Sequence, residues 1–169
     1  MKLTFTEDTA LWDARFACLK HLAESQVDVG LTSSASGRSR FLMAIHEHGA
    51  PIMHIPPRPV IEPALSSGEA QEAIAESLTA AVTAAMDGNA AGTDTALEAA
   101  GQAGVDAIHN YMDGGVPPPN SPVTLSGGWI YNRVAHCGVY VGGKSGSKPL
   151  IDTGQLYNDF DFDVVASKS

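Results

Sequence analysis

The sequence is poor in cysteine, in charge and, over long stretches, in aromatic and cationic residues. Cys18 and Cys137 are its only cysteines. They form no C-x-x-C pair, which argues against both a disulfide scaffold and a zinc-knuckle module. Two free thiols fit intracellular synthesis better than secretion. No run of eighteen apolar residues occurs, so no membrane-spanning helix is expected. Met1 to Glu7 lack a basic patch followed by an apolar run, and a secretory leader is not expected either. Charged residues are 17% of the 169 residues and hydrophobic ones 44%. That composition is globular, and the length suits a single core without staples.

Between Pro59 and Asn132 there is no Lys or Arg at all. The same stretch holds nine acids: Glu62, Glu69, Glu72, Glu76, Asp87, Asp94, Glu98, Asp106 and Asp113. The net charge of −9 therefore sits in this one segment, the remainder being neutral. A surface of one sign repels phosphates, so sequence-specific nucleic-acid binding is not the expected activity. The simplest reading of the segment is a solvated helical face.

No aromatic residue lies between Phe41 and Tyr111, whereas Ala64 to Ala107 includes fifteen alanines. Two helices are expected here. Ser66 with Glu69 and Thr95 with Glu98 have capping-box spacing. Ile74, Leu78, Val82 and Met86 make one apolar stripe, and Leu97, Val105, Ile108 and Met112 the other. Asp87-Gly88-Asn89 separates the helices and Gly114-Gly115 ends the second. The small side chains bury little area per residue, so the pair must dock on the rest of the chain or on a neighbouring subunit.

The flanking segments read differently. Lys2 to Phe5 suggests a short strand, and Asp8 can cap an amphipathic helix from Thr9 to Ser25 on which Trp12, Phe16, Leu19 and Ala23 recur. Val27, Val29 and Leu31 alternate with Asp28, Gly30 and Thr32 as in a half-buried strand. Phe41 to Ile45 reads as a second strand running into His46-Glu47-His48-Gly49. Ala50 to Pro63 holds five prolines and is expected to be an ordered, extended connector. Val116 to Pro122 is polyproline-like. Trp129 to Val141 is rich in β-formers and bracketed by glycine pairs, which predicts a hairpin or projecting loop. Phe160, Phe162 and Val164 alternate with Asp159, Asp161 and Asp163, a final strand with one buried face. The expected fold is α+β: one domain over residues 1–169, with a small, mostly antiparallel sheet, an N-terminal helix and a central alanine-rich helical hairpin.

Three constellations have the residue types that chemistry uses. His46 and His48 would share one face of a strand, as a metal site could use, with His54, Glu47 and Glu62 as further ligands; their spacing matches no zinc module. Asp152-Thr153-Gly154 has the sequence of an aspartic-protease loop, but that chemistry needs two carboxylates sharing a proton. Gly138 to Ser145 reads G-x-x-x-x-G-K-S, the spacing of a phosphate loop. Such a loop must open a helix, and Ser147-Lys148-Pro149 cannot continue one. No nucleophile is paired with a base. A small nucleotide- or metal-binding hydrolase using Gly138–Ser145 or His46 and His48 is thus the alternative to a protein without catalysis or cofactor.

Two groups of segments carry a resemblance. The first is Ala44-Ile45-His46-Glu47-His48-Gly49-Ala50, then Ile55-Pro56-Pro57-Arg58-Pro59-Val60 and Pro63-Ala64-Leu65. The second is Pro119-Asn120-Ser121-Pro122-Val123-Thr124-Leu125, then Lys148 to Leu156. In this order they resemble the head–tail joining and tail-completion (neck) proteins of tailed bacteriophages. The chain departs from that pattern at Val60 and His48, where aromatics are usual, and residues 127–146 look inserted. The resemblance implies a structural virion protein, made in the host cytoplasm, joining head connector to tail. It implies a ring of six copies through which genomic DNA passes. The implied partners are further copies of itself, a head–tail connector or adaptor, and a tail terminator or tail-tube protein; no membrane is involved. The expected interface residues are Pro57, Arg58 and Pro59 on a rigid loop, Trp129 and Tyr131 on the inserted segment, and Lys148 and Asp152, with Asp152 capping a helical turn.

Overall fold

A computed structural model of the chain describes residues 9–53, 55–132, 135–143, 150 and 154–167. The expected strand at Lys2 to Phe5, the Asp8 cap, Lys148 and Asp152 lie outside these residues. The fold is α+β, with two small antiparallel sheets among the described residues and an N-terminal helix.

Helix α1 (Thr9–Ala23) leads into strand β1 (Ser25–Gly30). The last strand, β4 (Asp161–Ala166), pairs antiparallel with β1, from Ser25 opposite Ala166 to Gly30 opposite Asp161. The period-2 pattern of Val27 and Val29 turns their side chains towards the helices. Helices α4 (Gly68–Met86) and α5 (Ala90–Gly114) form the alanine-rich hairpin. Helix α5 crosses the β1–β4 ribbon, and two glycines permit it. A Cβ at Gly101 would stand 2.3 Å from Phe162 Cδ2, and one at Gly104 would stand 2.9 Å from a Val29 methyl. The main core gathers Met43, Val60, Ile108, Met112, Val116, Leu156 and Phe160. A smaller cluster joins Ala81, Ala96 and Leu97 to Leu22 and Val27.

Several local expectations are corrected. Phe41 to Ile45 is not a strand but part of helix α2 (Gly37–His48), whose cap Ser36 accepts the Ser39 N–H. Ser39, Leu42, Met43 and His46 recur at three and four residues, and it is this face that turns inward. The proline-dense connector is not uniformly extended. It holds a 3-10 turn at Pro51–Met53 and the short helix α3 (Ile61–Leu65). Pro63 is tolerated in α3 because a first-turn residue has no intrahelical acceptor for its N–H. The caps of the hairpin are Ser67, which accepts from Ala70 N, and Asn89, which accepts from Gly92 N; Thr95 and Glu98 lie inside α5. On α4 the buried residues are Ala70, Ala81 and Ala85, while Leu78, Val82 and Met86 are exposed. Close approach to α5 selects the smallest side chains for the contact and displaces the larger ones outward. The Leu97, Val105, Ile108 and Met112 stripe of α5 is buried as expected.

Helix α6 (Pro122–Ser126) precedes strands β2 (Gly128–Asn132) and β3 (Cys137–Val141), which form the expected hairpin. The four-residue helix α7 (Gln155–Asn158) starts after Gly154, whose φ of 77° makes glycine itself the cap residue. No helix among the described residues is long and apolar enough to cross a membrane.

Candidate interaction surface

Arg58 was the residue expected to reach outward from the proline loop; instead it reaches inward. It is 8% exposed, and its guanidinium donates to the carbonyls of Pro118 at 2.8 Å and Pro119 at 3.2 Å. The rigid fork therefore ties the two proline segments together and is not offered to a partner's carboxylate. Pro57 and Pro59 remain on the surface.

Glu47, weighed above as a metal ligand, has another task. Its Oε1 accepts the N–H groups of Val60 at 3.1 Å and Ile61 at 3.4 Å, at the start of α3. A carboxylate at a helix N-terminus satisfies donors that have no intrahelical acceptor. The capping contact spans thirteen residues of chain, and no local motif announces it.

His46 and His48 lie on α2, not on a strand. Two residues apart on a helix, their side chains diverge by about 200°, so the shared face required for a His-x-His site is lost. Among the described residues no three His, Cys, Asp or Glu side chains cluster as a metal site. Gly138, the first glycine of the phosphate-loop spacing, lies inside strand β3, so the segment from Gly138 to Val141 is extended ladder and not a loop. A Cβ there would stand 3.6 Å from the Trp129 ring, which lies over this glycine.

The β2–β3 hairpin exposes a group of large aromatic side chains. Trp129 faces Tyr140 and Tyr131 faces Gly138 across the ladder, so these pairs share one face. Trp129, Tyr131 and Tyr140 are 74%, 64% and 60% exposed. Trp129 and Tyr140 meet edge to face, with centroids 5.7 Å apart, which stiffens the face. Ile130 and Val139 occupy the other face. Gly128 on that side lies near Val123 of the preceding helix α6.

Two concavities accompany these surfaces. One, of about 360 Å³, runs between α4 and α5, with a floor of Ala70, Ala73, Ala103 and Ala107 and a rim that includes Glu69 and Asp106. The other, of about 440 Å³, is an open depression beside the β1–β4 ribbon. Asp28 and Asp163, opposite each other in the ladder, border it, and Arg40 there donates to the carbonyls of Thr32 and Ser33. Near α7 two titrating groups are perturbed. Hydrogen bonds, first from the Ser39 hydroxyl and then from the Ser36 backbone, hold the Asp159 carboxyl below its ordinary value. Burial, then the hydrogen bond to Asp113, raises the Tyr157 phenol. These groups brace α2, α5 and α7 and line neither concavity. No family model, no curated protein and no solved structure matches this chain.

Proposed function

We propose that this chain is a structural assembly protein of a tailed-phage neck, placed as a ring between head connector and tail. The observation that carries the reading is the hairpin with three aromatic side chains mostly exposed on one face. A chain that exposes such a face asks for a protein partner. The two ordered motif groups supply the context: in the resembling family the same segments belong to neck proteins. Glu72 and Glu76 of the acidic segment are exposed. Negative walls repel duplex DNA and let it slide, which suits a chain that DNA passes without being held. The proline loop serves this role through Pro57 and Pro59, with Arg58 holding the loop's shape.

The test is electron cryomicroscopy of the particle neck. Density into which this fold docks, repeated around the axis, is the expected result. A neck reconstructed without this chain overturns the reading.

A further inference from the structure

Two apolar stripes with the spacing of buried helix faces lie exposed along the seam between α1 and α4. Trp12, Phe16 and Leu19 recur at four and three residues on α1, yet are 65%, 73% and 41% exposed. Leu78, Val82 and Met86 recur at four residues on α4 and are 41%, 45% and 58% exposed. Helix α1 rests on the body through Cys18, and its Leu22 joins the cluster of Ala81 and Leu97. Further along, a Cβ at Gly88, just past α4, would stand 3.4 Å from the Ala14 Cβ. The two helices therefore run antiparallel. His21 meets Asp94 of α5 at 2.7 Å, so that side of α1 faces α5. At about 100° per residue, Trp12, Phe16 and Leu19 point roughly 140–200° away from His21, on the α4 side. On α4, the Leu78, Val82 and Met86 stripe points roughly 140–220° away from Ala73, which lines the groove on the opposite side of the helical pair from α1. The stripes thus border one seam and form one face. We propose that this face packs on the same face of a second copy across a two-fold axis.

Three observations select a second copy. The first is area. Two aromatics that can bury about 150–250 Å² each, at these exposures, offer roughly 200–350 Å². The four aliphatic side chains add roughly 100–300 Å², on the area that about 25 cal/mol per Å² assigns to burying each. A standard stable interface of about 800 Å² per partner is about 56–65% apolar, or roughly 450–520 Å². The face offers apolar area on that scale. The second is shape. Each stripe is a ridge, with the α1–α4 seam as the groove between them. A two-fold axis lays the ridges of one copy into the groove of the other, which is how helix pairs pack into bundles. The third is the placing of charge. Asp13 and Lys20 flank the stripe on α1 and Glu72 flanks that on α4, all exposed, and none stands within a stripe. An uncharged centre with a charged rim is the anatomy of an interface. The Arg15 guanidinium, 5.6 Å from the Trp12 ring centre, braces that ring at the surface.

Sedimentation equilibrium of the free chain tests it. The native protein is expected to dimerise as concentration rises. Added salt should tighten the dimer, because two copies of net charge −9 repel each other and salt screens that repulsion. Trp12→Ala should raise the dissociation constant at least about tenfold, as loss of a central aromatic anchor does. Val82→Asp and Phe16→Ser should each leave a monomer. Both side chains are exposed, so melting followed by circular dichroism should show the fold kept in at least one of them. Trp129→Ala, on the hairpin, should leave the constant unchanged. A chain that stays monomeric at every concentration would overturn the proposal and assign the face to a different protein. So would a dimer indifferent to Trp12→Ala and Val82→Asp, a dimer lost with Trp129→Ala, or one that salt dissociates. A two-fold contact does not propagate around a ring, so the neck reading stands or falls separately, on the reconstruction described above.

Discussion

Arg58 and Pro118 are sixty residues apart in sequence, yet the Arg58 Nε donates to the Pro118 carbonyl at 2.8 Å. The same guanidinium reaches Pro119. Lysine cannot reproduce this fork with one ammonium on a flexible stem. Arg58→Lys and Arg58→Ala are both expected to destabilise the fold by about 1.5–3 kcal/mol, the usual range for hydrogen bonds to a charged group. Urea unfolding would show this as a lower midpoint. An unchanged midpoint would return Arg58 to the role of a surface contact.

Gly101 and Gly104 are expected to respond differently to alanine. At Gly101 the new methyl meets the Phe162 ring at 2.3–2.4 Å and the Phe162 Cβ at 3.0 Å, so the root of the side chain and not its flexible end is in the way. Overpacking of this kind costs about 1–3 kcal/mol. At Gly104 the neighbours are Val29 methyls near 3.0 Å, which need only a smaller shift. The helix gains up to about 1 kcal/mol from replacing glycine. Gly101→Ala should therefore lower the melting temperature clearly, and Gly104→Ala should change it little. Thermal unfolding by circular dichroism separates the two, and equal effects would contradict the packing described.

Glu47 should behave as a cap. Glu47→Ala leaves the Val60 and Ile61 N–H groups without their acceptor and is expected to cost about 1–2 kcal/mol, as loss of a helix cap does. Glu47→Gln keeps a carbonyl oxygen in place and should recover about half of it. If zinc or another divalent ion raised the melting temperature of the native protein but not of Glu47→Ala, the capping role would be insufficient.

The pH dependence has a defined sign. Asp159 has a folded value below its ordinary 3.8, so its contribution is complete above that value and is lost as pH falls through the lower folded value. Tyr157 is raised above its ordinary 10.0, so its contribution is complete below that value and is lost as pH rises through the higher folded value. Asp159→Asn should lower stability at neutral pH and flatten its decline below about pH 4. Tyr157→Phe should flatten the decline above about pH 10. Urea midpoints measured across pH would sink the assignment if the Asn variant retained the native acid slope.

Much of the architecture was legible because it rests on local signals. The alternation of Val27 and Val29, the glycine-bracketed run from Trp129 to Val141, and the Leu97 to Met112 stripe each occur within one element. Such periodicities report which face is apolar. They led to β1, the hairpin and the buried side of α5. The same reasoning failed at Phe41 to Ile45, where a five-residue apolar run suits a strand or a buried helix face equally. It failed again on α4, where the four-residue spacing of Ile74, Leu78, Val82 and Met86 points to the larger apolar residues as the packed stripe. Helix α5 approaches too closely for them, and the alanines fill the contact.

Composition and periodicity by themselves determined an α+β chain with an acidic alanine-rich helical pair and an aromatic hairpin. The tertiary structure alone decided where the chemistry-bearing side chains are directed. It turned Arg58 inward onto Pro118, placed Glu47 at the start of α3, separated His46 from His48 around a helix, and left Trp129 uncovered. Each outcome depends on partners brought close from elsewhere in the chain or withheld by the fold. A side chain's role follows from what stands within a few ångströms of it, and sequence spacing records that only within a single turn or ladder.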